Sequence, residues 1–197
     1  MGSKPRILII DRAGQVGVEL QRSFRELGEV VAVGWETANL AEADTMRHLV
    51  RRVKPDIALN AAAYTAVDWA ELKPSLAMTI NARAVRTLAE EAQRTDALPV
   101  QYSTDYVFDG QKQSPWTEID EANPLNSYGA SKLVGEEAIK QAGGKYLVFL
   151  TSWVYGPRGS NFVADYVKPS QGTLSDLRHT RSVWIADNVN RACRCHA

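Results

Sequence analysis

The chain has 197 residues, of which 45% are hydrophobic and 23% charged. That is globular composition and excludes a disordered chain. The 23 basic and 23 acidic side chains cancel to zero net charge, which leaves no bulk basic field for nucleic acid or an anionic membrane.

No run of about 18 apolar residues marks a membrane span, and MGSKPRILII is too short an apolar run for a signal peptide. Cys193 and Cys195 cannot build a disulfide framework, so a reducing, cytoplasmic compartment is expected. Arg6 to Ile10 (RILII) reads as a buried strand. Val16, Leu20, Phe24 and Leu27 fall at helical spacing, which predicts a helix over 15–27 stopped by Gly28. Glu29 to Val33 is a second strand. A helix follows over 44–53, ended by Lys54-Pro55, and Asp56 to Asn60 is a third strand. Residues 67 to 95 read as mostly helical, with Pro74 as a break or a new first turn. Leu98 to Tyr102 is a fourth strand, and a loop rich in Pro, Asn and Asp runs from about 105 to 126. Ser127 to Ala142 is a helix closed by Gly143-Gly144, and Lys145 to Leu150 is a fifth strand. This alternation predicts βαβ units in an α/β, Rossmann-like, doubly wound parallel sheet with flanking helices.

The pattern holds over 1–160 and dissolves in a divergent tail over 161–197, where Val183 to Ile185 reads as a short strand. Cys193, Cys195 and His196 are too crowded for a metal site and have no second cluster at zinc spacing. They read as a disordered end, and no metal is expected.

The first strand runs into Asp11-Arg12-Ala13-Gly14-Gln15-Val16-Gly17. A dinucleotide-binding turn wants glycine at the first, fourth and seventh places, for a tight turn, close approach to the pyrophosphate and helix–strand packing. Gly14 and Gly17 are present, and Asp11 holds the first place. The helix N-terminus still offers N–H groups to an anion. After the second strand, Val33-Gly34-Trp35-Glu36 lacks the strand-end acid that favours NAD. Arg12 has two readings, a contact to the 2′-phosphate of NADP or a salt bridge to Asp11.

Tyr128 and Lys132 are four residues apart in a predicted helix, so they share one face. An ammonium beside a phenol favours the phenolate and draws its pKa down from about 10. Such a tyrosine can protonate a carbonyl oxygen while hydride reaches the carbon. Ser103-Thr104-Asp105 directly follows the fourth strand, at the carboxyl end where open α/β sheets bind ligands.

Four blocks occur in order: Asn60 to Asp68 (NAAAYTAVD), Tyr102 to Gly110 (YSTDYVFDG), Asn123 to Lys132 (NPLNSYGASK) and Thr151 to Gly156 (TSWVYG). With these blocks the sequence resembles the dTDP-4-dehydrorhamnose reductases, extended short-chain dehydrogenase/reductases. The resemblance covers about residues 6 to 163. It implies NADPH- or NADH-dependent reduction of the 4-keto group of dTDP-6-deoxy-L-lyxo-4-hexulose to dTDP-L-rhamnose. It further implies that Thr104 binds the substrate carbonyl, Tyr128 donates the proton, and Lys132 holds the nicotinamide ribose and tunes Tyr128. Gly14, Gln15, Val16 and Gly17 would line the pyrophosphate, Asn39 and Leu40 the adenine, and Ala62, Ala63 and Tyr64 the cofactor after strand three. Val67, Asp105, Tyr106 and Trp153 would face the sugar.

The sequence also departs from that family. Asp11 replaces a glycine, Gly34-Trp35 an acid–base pair, and Leu150 an arginine. Beyond Val163 the family's substrate lobe is not recognisable, which reads as a truncation, a shifted frame or a divergent short end. Impaired activity is the expectation, because catalysis needs reacting atoms held about 3–3.5 Å apart. An apolar face left by a short lobe can drive homodimerisation. The alternatives are a non-catalytic nucleotide-binding or regulatory module, similar to the β subunit of methionine adenosyltransferase, or an inactive remnant.

Overall fold

Five parallel strands form the centre of the protein: β1 (Arg6–Ile10), β2 (Glu29–Val33), β3 (Ile57–Asn60), β4 (Leu98–Thr104) and β5 (Tyr146–Thr151). The computed structural model describes residues 3–156, 158, 161 and 193–196. The strand order is β2-β1-β3-β4-β5, and β6 (Cys193–His196) closes the β5 edge antiparallel. The helices are α1 (Gln15–Phe24), α2 (Ala43–Val53), α3 (Val67–Leu72), α4 (Pro74–Met78), α5 (Ala84–Arg94) and α6 (Ser127–Ala142). This is the doubly wound Rossmann-like sheet that the alternation predicts.

The apolar run of β1 explains the layering. Ile7, Leu8, Ile9 and Ile10 are all 0–1% exposed, so both faces of this strand are covered. Ile7 and Ile9 pack with Leu20 and Phe24 of α1. Leu8 and Ile10 pack on the other face with Met46, Leu49 and Val50 of α2 and Leu88 of α5. Each such side chain contributes about 1.5–3 kcal/mol by leaving water.

Several boundaries shift for identifiable reasons. α1 ends at Phe24 instead of Leu27, and Leu27 is 61% exposed. Gly28 must pass close to Pro5, because a Cβ there would lie 2.2 Å from the Pro5 carbonyl oxygen. The Phe24 carbonyl therefore accepts from both Leu27 N and Gly28 N, which closes the helix early. β4 runs two residues beyond Tyr102, because Ser103 and Thr104 stay in register with Leu150 and Thr151.

Over 67–95, Pro74 opens α4, and a five-residue π segment, Thr79–Arg83, joins α4 to α5. The expectation of a disordered end at Cys193 to His196 is corrected, since this stretch pairs its backbone with Tyr146 to Phe149 of β5. Val183 to Ile185 lies outside the described residues.

Candidate active site

A cleft of about 480 Å³ opens at the carboxyl ends of β1, β3, β4 and β5. It sits there because parallel strands deliver their following loops to one edge of the sheet. α6 forms its wall. Asn126 caps this helix, with its Oδ1 accepting from Gly129 N at 2.7 Å. Ser127 ties the same end to α3, donating from N and Oγ to Glu71 at 2.6 and 3.0 Å. Close approach then depends on glycine. A Cβ at Gly129 would lie 2.1 Å from the Tyr106 carbonyl oxygen, and one at Gly135 would lie 2.2 Å from that of Asn81.

Tyr128 and Lys132 both reach the cleft from α6 and are both buried. Lys132 is 4% exposed, and its Nζ donates to the Tyr102 carbonyl at 2.5 Å. Burial pulls its ammonium down to about 8, against a rise caused by the Glu136 carboxylate. Glu136 lies one turn further along α6 and accepts from Ser103 Oγ at the end of β4.

The expectation that Lys132 lowers the Tyr128 pKa is corrected. Burial raises it, a hydrogen bond with Thr104 opposes the rise, and the charges of Asp105 and Tyr106 add to it. The ring packs with Ala70 and Ala77, and the burial this produces outweighs any help from the helix spacing. Tyr128 therefore carries its proton at neutral pH, which is the form a reduction needs.

The buried lysine carries a pH signature. Lys132 loses its proton near pH 8 in the folded chain, and near its ordinary 10.5 when unfolded. Between these values the unfolded chain binds more protons, so the contribution of Lys132 to stability rises with pH. Urea unfolding at stepped pH should show the native chain gaining on Lys132→Met between about 8 and 10.5. A pH-independent difference would contradict a buried ammonium.

The β4 and β5 ends supply the polar floor. Thr104 Oγ1 donates to Asp105 Oδ1 at 3.1 Å, and Ser152 Oγ donates to Asp105 Oδ2 at 2.6 Å. Tyr106 meets Tyr128 edge to face, with centroids 5.7 Å apart. Trp153 is 63% exposed at φ +50°, an uncommon backbone for a bulky side chain, and lines the same cleft.

The structure brings together most of the sequence-derived residues. Gly14, Gln15, Val16, Ala62, Ala63 and Val67 line the cleft together with Thr104, Asp105, Tyr106, Tyr128, Lys132 and Trp153. Five others do not. Gly17 is buried under the turn, where a Cβ would lie 1.8 Å from the Asp11 carbonyl oxygen, so it keeps the role of helix–strand packing. Arg12 pairs with Glu36 at 3.0 Å, which corrects the reading of a bridge to Asp11. Glu36 takes the guanidinium because its carboxylate lies over Gly34, at the end of the neighbouring strand. Asn39 bonds Glu42, Leu40 is buried in the core, and Tyr64 packs into the cluster under Tyr128.

Sequence reasoning missed Asn81, Glu136, Ser152 and Asn161. Asn81 accepts from Tyr64 N at 2.8 Å and donates to Tyr64 O at 3.0 Å and Ser131 Oγ at 2.9 Å. It thus clamps the loop after β3 to α6. Asn161 Nδ2 donates to Gln15 Oε1 at 3.1 Å. One signal was available for Glu136, since it stands four residues after Lys132 and so on the same helical face.

The family described as RmlD substrate binding domain matches residues 5–173. The dTDP-4-dehydrorhamnose reductase of Burkholderia thailandensis is 49% identical over 158 residues, covering 80% of this chain and 53% of the relative. That of Salmonella typhimurium is 42% identical over 197 residues, covering 97% of this chain and 66% of the relative. The chain thus spans between about half and two thirds of the length of these relatives. The solved dTDP-4-dehydrorhamnose reductase of Bacillus anthracis, in complex with NADP, superposes with a TM-score of 0.82 at 35% identity, covering 85% of this chain and 60% of that one. Among the described residues, no helix is long and apolar enough to cross a membrane. By its blocks, its sheet order and these matches, the chain belongs to the RmlD substrate binding domain family.

Proposed function

We propose that this chain binds NADPH or NADH in the cleft and serves the reduction of the 4-keto group of dTDP-6-deoxy-L-lyxo-4-hexulose to dTDP-L-rhamnose. One observation carries the reading: Thr104, Tyr128 and Lys132 converge in a single cleft with the glycine turn of β1. The lining fits a dinucleotide. Gly14, Gln15 and Val16 border the cleft, small Ala62 and Ala63 follow β3, and the buried Lys132 and Tyr128 share the same lining. Asp11, at the glycine turn, conflicts with a pyrophosphate.

When bound, a nicotinamide dinucleotide supplies the hydride. Tyr128 gives its phenolic proton to the carbonyl oxygen, and its O–H bond breaks as the alcohol forms. Lys132 would hold the ribose hydroxyls. Thr104 hydrogen-bonds the same carbonyl, and Val67, Asp105, Tyr106 and Trp153 border the sugar. This reading makes the partner a nucleotide sugar and the setting a reducing cytoplasm.

Titration with NADPH and NADH, followed by nicotinamide fluorescence, tests the first half. Saturable binding, with oxidation that depends on the keto-sugar, is the expected result. A folded chain that binds neither dinucleotide overturns the reading in favour of a module that kept the fold without turnover. The presence of Asp11 is the observation that favours that second reading.

A further inference from the structure

The turn after β1 brings its own anion. Asp11 Oδ1 accepts from Gly14 N at 3.0 Å. Asp11 Oδ2 sits 2.0 Å from the position a Cβ on Gly14 would take. The carboxylate therefore lies against the face of the turn left bare by the second glycine, the face a pyrophosphate would approach. Asp11, Gly14 and Gln15 line the same cleft. α1 begins at Gln15 behind Gly14, an N-cap with no side chain, so its N-terminal dipole favours an anion.

The backbone cannot swing the carboxylate away. Asp11 N and Arg12 N both donate to the Val33 carbonyl, at 3.0 and 2.9 Å, and Asp11 is held at φ +76°. The adjacent cation is already committed, because Arg12 pairs with Glu36. Among the described residues, no ion pair reaches Asp11.

We infer that Asp11 is a tethered competitor for the cofactor's pyrophosphate, and that it sets the dinucleotide affinity of this chain. The inference rests on the cofactor reading above. Its carboxylate holds the Gly14 amide that a phosphate oxygen would take, and adds a like charge beside two phosphate charges. Binding then requires the side chain to rotate off that amide.

Two variants separate charge from bulk. Asp11→Asn removes the charge and keeps a side-chain oxygen for Gly14 N. Asp11→Gly also empties the space and suits the positive φ. NADPH and NADH are titrated into the native chain and both variants, with thermal unfolding as the check on folding.

Dissociation constants should fall about tenfold or more in Asp11→Gly, with Asp11→Asn between it and the native chain. High salt should narrow the gap between native and Asp11→Asn, because it screens the repulsion. Saturable binding with all three chains within twofold overturns the inference and leaves the cofactor reading standing. Weaker binding by Asp11→Gly overturns it too, by making Asp11 a support of the turn. No binding by any folded chain removes the cofactor reading, and this inference with it.

Discussion

Replacing Tyr128 with Phe should lower keto-sugar reduction by ~10²–10⁴-fold while leaving NADPH affinity within a few-fold. The separation follows from where the ring sits. Its apolar body packs with Ala70 and Ala77 and meets Tyr106 edge on, and phenylalanine preserves those contacts. Only the hydroxyl is lost, and with it the proton bound for the carbonyl oxygen. Burial keeps that proton on Tyr128 at neutral pH. Single-turnover oxidation of NADPH reads the chemical step, and fluorescence titration reads the affinity. Unchanged turnover would remove Tyr128 as proton donor.

Gly135→Ala should destabilise the fold by about 1–3 kcal/mol, because an added methyl overfills a closed contact. At an open helical position the same change stabilises by about 1 kcal/mol, so even the sign is diagnostic. The new Cβ would lie 2.2 Å from the Asn81 carbonyl oxygen, and this neighbour is backbone. It cannot turn aside as a flexible side chain would. Displacing it also disturbs the Asn81 bonds to Tyr64 and Ser131. Thermal unfolding should show a drop of roughly 2–4 °C per kcal/mol for a chain of this size. A melting temperature at or above the native value would mean that α6 does not need the glycine to seat against the π segment.

Much of the scaffold was legible because it rests on local patterns. The β1 run RILII is apolar at every place after its arginine, and a strand covered on both faces reads that way. α6 begins and ends where Asn126 and Gly143-Gly144 punctuate the sequence. That Thr104, Tyr128 and Lys132 share one cleft was legible through spacing and family blocks.

What escaped was set by partners distant in sequence. Glu36 is 24 residues from Arg12, and Trp35 separates it from Gly34, the strand-end place where an acid was sought. The rise in the Tyr128 pKa comes from packing with α3 and α4, which no spacing within α6 reveals. Asn81 gave no sign because it stands in a π segment, where helical periodicity fails. The pairing of Cys193–His196 with β5 depends on a partner 44 residues away at its nearest pair, Phe149 and Cys193, rather than on β-forming composition.

The π segment also constrains how this gene can drift. A π turn accommodates more residues than an α turn, so Thr79–Arg83 is wider than a regular helix of the same path. Losing one residue there would narrow the wide turn to an ordinary helical one and move Asn81 relative to its partners. Helical propensity would survive such a deletion, while the amide of Asn81 would point away from Tyr64 and Ser131. Descendants can therefore trade side chains along this stretch far more freely than they can change its length.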